Sequence, residues 1–532
     1  MVDIVGGETL ASLWDKLARK CGEKDFFIFQ GRDGGVETFT YRQFNEKINQ
    51  TANMFLREGV AFGERVAVQM HTCPEFLMCL FGLAKIGAVT VPMNEQYLQA
   101  ECEYALDMCE IERAVVEPCY VELYDQICAD GRLPKGISVA RTLDPQETCG
   151  HRIFSELVDA ESTELAEQRA LTPDDVCEIL FTSGTTSNPK GVLLTHGNMV
   201  YSGYYGDWET SMTASDRMLT TMPACHSNFQ LAALTPVLTA RATMIVVEKY
   251  SASRFWSQVR EYRATLAQCV AMMLRTLMLQ PTDPAERDHS LRDMLYFLPV
   301  SAREKKAFEE RFGVRILNTY GSTESIGWVL TDPPTGERKW PSIGRVGLGY
   351  EAKIIDENGN ELPANRVGEI CVKGVPGRSL MLGYVGNEKA TAEALTSDGW
   401  LHMGDKGYYD EEGWFFFVDR KSNMIKRAGE NISTTEIEEI LTEHPAVKEA
   451  AVIGVPDDRL GEIPLAVIEL KPEAQSTTEA DIERFCLDLP RYKRPRKIIF
   501  ADIPRNPTGK IEKPVLRQKY STENLVYKES QR

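Results

Sequence analysis

The chain has 532 residues, enough for several domain-sized cores, and 43% of them are hydrophobic and 26% charged, the balance of a globular protein with large interiors. Its 60 basic and 78 acidic side chains leave a formal net charge of −18, which repels nucleic-acid phosphates and anionic membrane surfaces and sets both aside as general partners. The 13 cysteines are odd in number and scattered, with no CxxC and no Cys/His cluster of zinc spacing, so reduced thiols in a cytoplasmic protein are expected.

In chain order, the N-terminus lacks the basic-then-apolar pattern of a secretory signal. Leu10, Leu13, Trp14 and Leu17 recur at helical spacing and predict an amphipathic helix packed on a core. No run approaches the roughly 18 apolar residues of a membrane-spanning helix. "RVAVQM" (65–70), the helix-like "CPEFLMCLFGLAKIG" and "AVTVPMN" (88–94) form a strand–helix–strand unit. Strand-like runs return at "RAVVEP", "VCEILFT", "ATMIVVEK" and "VRILNTYG", an alternation that predicts parallel-sheet α/β architecture.

Near residue 420 the texture changes. Thr435-Glu-Ile-Glu438 has the form of a capping box opening a short helix with Ile437, Ile440 and Leu441 on one face. Two strand-like runs follow, "EAAVIGVP" and "PLAVIEL", then a helix with Ile482, Phe485, Cys486 and Leu489 inward. We place a domain boundary at Asp419–Lys421, giving a unit at 1–419 and a small α+β unit at 420–532.

The stretch "ILFTSGTTSNPKGVLLTH" (179–196) carries the first chemical signal. Six consecutive small residues, Thr182–Ser187, precede Pro189-Lys190-Gly191. A Walker loop needs Gly-Lys-Ser/Thr opening a helix. Here the order is wrong and "VLLT" reads as a strand, so a hairpin is expected. Its hydroxyls and N–H groups form a concavity suited to an anion, with Lys190 adding charge.

Seven further stretches accompany it in fixed order: "GAVTVPMN" (87–94), "MPACH" (222–226), "NTYGSTE" (318–324), "GEICVKG" (368–374), "DGWLHMGD" (398–405), "VDRKSNMIKRAGENIS" (418–433) and "PRNPTGKI" (504–511). With "TSGTTSNPKG" they resemble the motifs of the adenylate-forming superfamily of acyl-CoA synthetases, luciferases and adenylation domains. The resemblance implies a large N-terminal multi-sheet α/β domain and a small C-terminal lid hinged near Ser422. It also implies two half-reactions: a carboxylate attacks the α-phosphorus of ATP to give an acyl-adenylate, and the thiol of coenzyme A then displaces AMP.

By that resemblance Thr182, Ser183, Gly184, Thr185, Thr186 and Lys190 cradle the β- and γ-phosphates, with Glu324 and Thr185 toward Mg²⁺, a hard cation that needs few protein carboxylates beside phosphates. Asn318, Tyr320 and Thr323 face the nucleotide, and Asp405 and Arg420 the ribose. His226 lies beside the substrate carboxylate, and Lys510 is the charge that serves adenylation. Lys426 and Gly429 face the site in the second, thiol-accepting orientation. Met403 stands where the family has a Thr, and Cys225 where it has an aromatic residue before the His.

The family's "GGAPL"-type segment is replaced here by "YFLPVSARE" (296–304). Four stretches, "VDIVGG" (2–7), "VEKYSASRFWSQVREYRAT" (247–265), "MMLRTLMLQP" (272–281) and "RKWPSIGRVG" (338–347), resemble the bacterial crotonobetaine/carnitine–CoA ligases. The implied substrate is a short trimethylammonium carboxylic acid. Tyr296, Phe297, Phe229 and Trp328 are candidate aromatic walls for such a cation. Two alternatives stay open: a CoA ligase for another short or branched acid, and a catalytically silent homologue acting as a binding protein.

Overall fold

In the computed structural model the described residues are 3–182, 189–297, 300–420, 423–427, 430–457, 460–505 and 511–520. The N-terminal helix forms as its spacing predicts, over Leu10–Cys21, opened by Thr9, whose hydroxyl accepts the Ser12 N–H. Its apolar stripe drives Trp14 into an aromatic cluster with Phe26 at 4.9 Å and Phe81 at 5.1 Å between ring centroids. Each such pair contributes about 0.5–1.5 kcal/mol beyond its buried area.

The described residues fall into two compact units. The first, Met1–Ala352 with Val372–His402, holds two large sheets. One has eight strands, in the order Gly383–Tyr384, Lys190–Thr195, Val176–Thr182, Val89–Pro92, Arg65–Gln69, Ala114–Val116, Ile137–Val139 and Arg152–Ile153. From Val176–Thr182 onward the pairing is parallel, and the first two strands close the sheet antiparallel. The Val/Ile-rich central strands are buried on both faces, as a parallel sheet requires. The other sheet has nine strands, and Arg315–Tyr320 and Asp293–Phe297 lie side by side in its parallel part.

The second unit, Lys353–Cys371 with Met403–Arg532, carries a four-stranded sheet that ends with Trp400–Tyr409 paired to Phe415–Arg420. It also carries a five-stranded sheet built on the long pair Val447–Asp457 and Gly461–Leu470. The helix predicted there spans Thr434–Glu443, but Ser433, not Thr435, is its cap, accepting the Glu436 N–H at 3.2 Å. The reason is Asp419, whose Oδ2 takes the N–H groups of Thr434 (2.6 Å) and Thr435 (3.3 Å), so those donors need no cap of their own. Ile437 and Leu441 are buried as expected, with Ile440 packed at the edge of the same core. All 13 cysteines are free thiols, and among the described residues no helix is long and apolar enough to cross a membrane.

Candidate active site

The two strands that flank the Thr182–Ser187 run form a hairpin pair. Val176–Thr182 and Lys190–Thr195 pair antiparallel, with Thr182 opposite Lys190. The loop between them, with Ser183, Gly184, Thr185 and Thr186, lies outside the described residues, as do Ser422, Gly429 and Lys510. At its base the Lys190 ammonium stands 4.8 Å from the centre of the Tyr384 ring. Tyr384 is there because Gly383–Tyr384 adds a strand beside Lys190–Thr195, with Gly383 opposite Leu193. Its hydroxyl donates to Glu324 Oε1 at 2.9 Å. Burial, then the neighbouring Glu324 carboxylate, push the phenol above its usual range, so it stays an O–H donor.

Glu324 sits in a short 3₁₀ turn, Thr323–Ser325, just past Arg315–Tyr320. The turn is held from both sides. Glu324 O accepts the Met381 N–H at 2.8 Å, and Ser325 Oγ accepts the Ser322 N–H at 2.8 Å. Thr323 Oγ1 donates to Ser227 Oγ at 3.2 Å, which brings the turn against the residue after His226. So Lys190, Tyr384, Glu324, Thr323 and the His226–Ser227 turn form one contiguous chain of side chains across the two large sheets.

Asn318 lies fully buried in Arg315–Tyr320, opposite Tyr296 of the neighbouring strand. Its Nδ2 donates to Ser342 O at 2.8 Å, and its N–H to Asp332 Oδ2 at 2.9 Å. The first bond fixes the amide orientation and leaves Oδ1 buried with no hydrogen-bond partner. An orphaned acceptor of this kind fits a donor such as an adenine amino group. Burial pushes the Asp332 carboxyl up to about 6. Tyr320 closes the strand, buried, with Leu330 opposite it.

His226 is half-buried at the head of a short helical turn, Ser227–Phe229, that continues as a π-helical turn, Gln230–Leu234. Such irregular turns recur at functional sites. Two buried amides fix this segment. Gln268 Nε2 donates to Asn228 O at 2.6 Å, and Gln230 Nε2 to Ala224 O at 2.9 Å. Burial pushes the adjacent Cys225 thiol up to about 12, so it remains protonated. Of the candidate aromatic walls, Tyr296 and Phe229 are fully buried and Trp328 nearly so, and the Phe297 side chain lies outside the described residues.

In the second unit, strand pairing sets Asp405 opposite Arg420, with Arg420 Nε 3.7 Å from Asp405 Oδ1. Asp405 is largely buried and Arg420 is half-exposed. Lys426 is exposed in Ile425–Arg427, its N–H held by Glu462 Oε2 at 2.7 Å. Below them Asp419 also binds the Thr434 hydroxyl at 2.7 Å, and Lys513 Nζ reaches both Thr434 Oγ1 (2.6 Å) and Glu438 Oε1 (2.8 Å).

Tyr384, Gln230, Gln268 and Asp419 escaped the sequence reading. For Tyr384 no local signal exists, because it meets Glu324 only through sheet pairing. Asp419 stood in a quoted motif without a role. The glutamate inside the apolar run "VCEILFT" was the visible sign of a buried polar partner for Gln230.

The AMP-binding enzyme family matches residues 14–385, and its C-terminal domain family matches 436–510. The chain is 44% identical over 520 residues to a crotonobetaine/carnitine–CoA ligase of Salmonella typhi, covering 97% of this chain and 100% of that one. It is 45% identical over the same length to the enzyme so named in Citrobacter koseri. Among solved structures, ATP-bound MatB from Rhodopseudomonas palustris aligns with a TM-score of 0.86 at 27% identity, covering 96% of this chain and 99% of that one. The o-succinylbenzoate CoA synthetase of Bacillus subtilis, in complex with its acyl-adenylate, aligns with a TM-score of 0.82 at 26% identity, covering 95% and 97%.

Proposed function

The chain belongs to the AMP-binding enzyme family, and from that premise we propose that it joins a short trimethylammonium carboxylic acid (crotonobetaine, carnitine or γ-butyrobetaine) to coenzyme A, with release of AMP and pyrophosphate. The observation that carries the substrate is the 44% identity, across 97% of the chain, with a protein named crotonobetaine/carnitine–CoA ligase.

In this reading the substrate carboxylate oxygen bonds to the α-phosphorus as the bond to pyrophosphate breaks. Two anions must meet, so the site has to supply positive charge and fixed donors where charge develops. Lys190 and the Thr182–Thr186 loop hold the leaving pyrophosphate. Tyr384 orients Glu324, which with Thr185 is the proposed protein ligand of Mg²⁺. Bound Mg²⁺ supplies charge neutralisation on the leaving phosphates. Asn318, Tyr320 and Thr323 receive the nucleotide, and Asp405 and Arg420 its ribose. His226 lies beside the acid, and Lys510 brings the further cation to the reacting oxygens.

In the second half the CoA sulfur bonds to the acyl carbon and AMP leaves. Lys426 and Gly429 serve this step, after the segment beyond residue 420 has turned about Ser422. Glycine at 429 leaves room for a pantetheine chain.

The test is AMP release with ATP, Mg²⁺ and CoA against carnitine, crotonobetaine, γ-butyrobetaine, butyrate and benzoate. The betaines are expected to win. Butyrate ahead of all three would leave a ligase for another short acid. No AMP with any acid would leave a silent binding protein.

A further inference from the structure

Glu178 is a fully buried acid that the proposed chemistry does not use. It sits in Val176–Thr182, four residues before the strand enters the phosphate loop, and successive side chains in a strand alternate faces. Ile179 and Phe181 point into the apolar core with Val91, Ala105 and Tyr124, so Glu178, Leu180 and Thr182 share the opposite face. On that face Glu178 Oε1 accepts the Gln230 amide at 2.7 Å, and the same Nε2 donates to Ala224 O at 2.9 Å. Gln230 opens the π-helical turn, and Ala224 is two residues before His226.

Three oxygens in this cluster are buried without a hydrogen-bond partner: Glu178 Oε2, Gln230 Oε1 and Thr90 Oγ1. Thr90 is the register partner of Glu178 in the neighbouring strand. A carboxylate offers only acceptors, whereas a carboxylic acid brings an O–H for such an oxygen. Burial pushes the Glu178 carboxyl up to about 8, so it carries a proton at neutral pH.

The ionisable groups around it are few. Cys177 beside it and Cys225 in the turn are thiols that burial pushes up. The helix Pro74–Lys85, packed on the strand, carries Glu75 and Cys79, also pushed up by burial, and Lys85, bonded to Asp15, Asn45 and Asn49. The adjacent strand begins at Lys190, opposite Thr182, and is followed by His196, pushed down to about 4 by burial and therefore neutral.

We propose that Glu178 is a positioning residue: through Gln230 its carboxyl locks the Ala224–His226 turn to the strand that leads into the phosphate loop, and this lock sets the affinity for the carboxylic acid. The proposal rests on the ligase reading above, in which His226 faces the acid.

The experiment measures AMP release by the full chain at about pH 7, varying the best acid of the panel at saturating ATP and Mg²⁺, and the reverse. Glu178→Leu and Gln230→Leu are expected to raise the KM for the acid about tenfold, the effect of one buried hydrogen bond, with the KM for ATP unchanged. Glu178→Gln keeps an acceptor and a donor but cannot ionise. It should therefore hold the wild-type acid KM at neutral pH, since its amide oxygen still accepts the Gln230 N–H. A raised acid KM in Glu178→Gln at neutral pH overturns the proposal, even if the leucine variants fail to fold. Equal increases in the two KM values in the leucine variants overturn it as well. A wild type that releases no AMP with any acid sinks the ligase reading and the proposal together, whereas the other failures sink the proposal alone.

Discussion

Replacing Tyr384 by phenylalanine removes one atom from the chain Lys190–Tyr384–Glu324 and leaves the ring in place. The atom lost is the hydroxyl that donates to Glu324 Oε1 at 2.9 Å, in a side chain only 8% exposed. A hydrogen bond to a charged group is worth about 1.5–3 kcal/mol. A group that orients a metal-binding carboxylate typically changes metal affinity about 10–100-fold when removed. Tyr384→Phe should therefore raise the apparent KM for ATP and Mg²⁺ by about tenfold or more. Tyr384→Leu also removes the ring that Lys190 faces at 4.8 Å. A cation–π contact at a partly exposed site adds about 0.5–1 kcal/mol, a further factor of about two to five. The assay is acid-dependent exchange of labelled pyrophosphate into ATP, which reads adenylation alone. Wild-type saturation by ATP and Mg²⁺ in Tyr384→Phe would refute a role for the hydroxyl in setting Glu324. Equal losses in the Phe and Leu variants would refute the contribution of the ring.

Glu209 is buried, with Oε1 unpartnered, and burial pushes its carboxyl from the usual 4.5 up to about 8. The folded state holds this proton more tightly than the unfolded one, so its stabilising effect is complete below the unfolded value and is lost as pH rises to about 8, at about 1.4 kcal/mol per unit. Glu209→Gln should then flatten part of the fall in melting temperature between about pH 6 and about pH 8, and parallel curves would be the contrary result. Asp419→Ala removes the acceptor of five N–H and O–H donors and should raise amide exchange across Thr434–Glu443 while sparing the first unit's Leu10–Cys21. Lys510→Ala should abolish acyl-adenylate formation and spare thioester formation from supplied adenylate. Gly429→Leu should do the reverse, and loss of both half-reactions in both variants would count against a two-orientation lid.

Much of the fold was legible in the sequence because its elements bury their side chains locally and regularly. "RVAVQM", "VCEILFT" and "VRILNTYG" became the strands Arg65–Gln69, Val176–Thr182 and Arg315–Tyr320, and the hairpin predicted from Pro189-Lys190-Gly191 formed. The cap at Ser433 was misread because its competitor, Asp419, is 14 residues away and acts through space. Tyr384 and Glu324 are 60 residues apart, and Glu178 and Gln230 are 52 apart. No spacing rule reaches across such distances; only sheet order brings the partners together.

The two ends of the proposed site differ in how they are encoded, and the physics accounts for it. In the proposed site the phosphate end is a run of small residues and one lysine, contiguous because successive backbone N–H groups form such an anion-binding concavity. An acid is recognised by the shape and polarity of a pocket, to which any segment can contribute one side chain. Here the turn that carries His226 is fixed by Gln268 from one sheet and by Glu178, through Gln230, from the other. A change at either support moves the turn without touching a motif. Substrate choice in this chain therefore has to be sought in buried amides and acids beneath the turn as well as in the residues that face the acid.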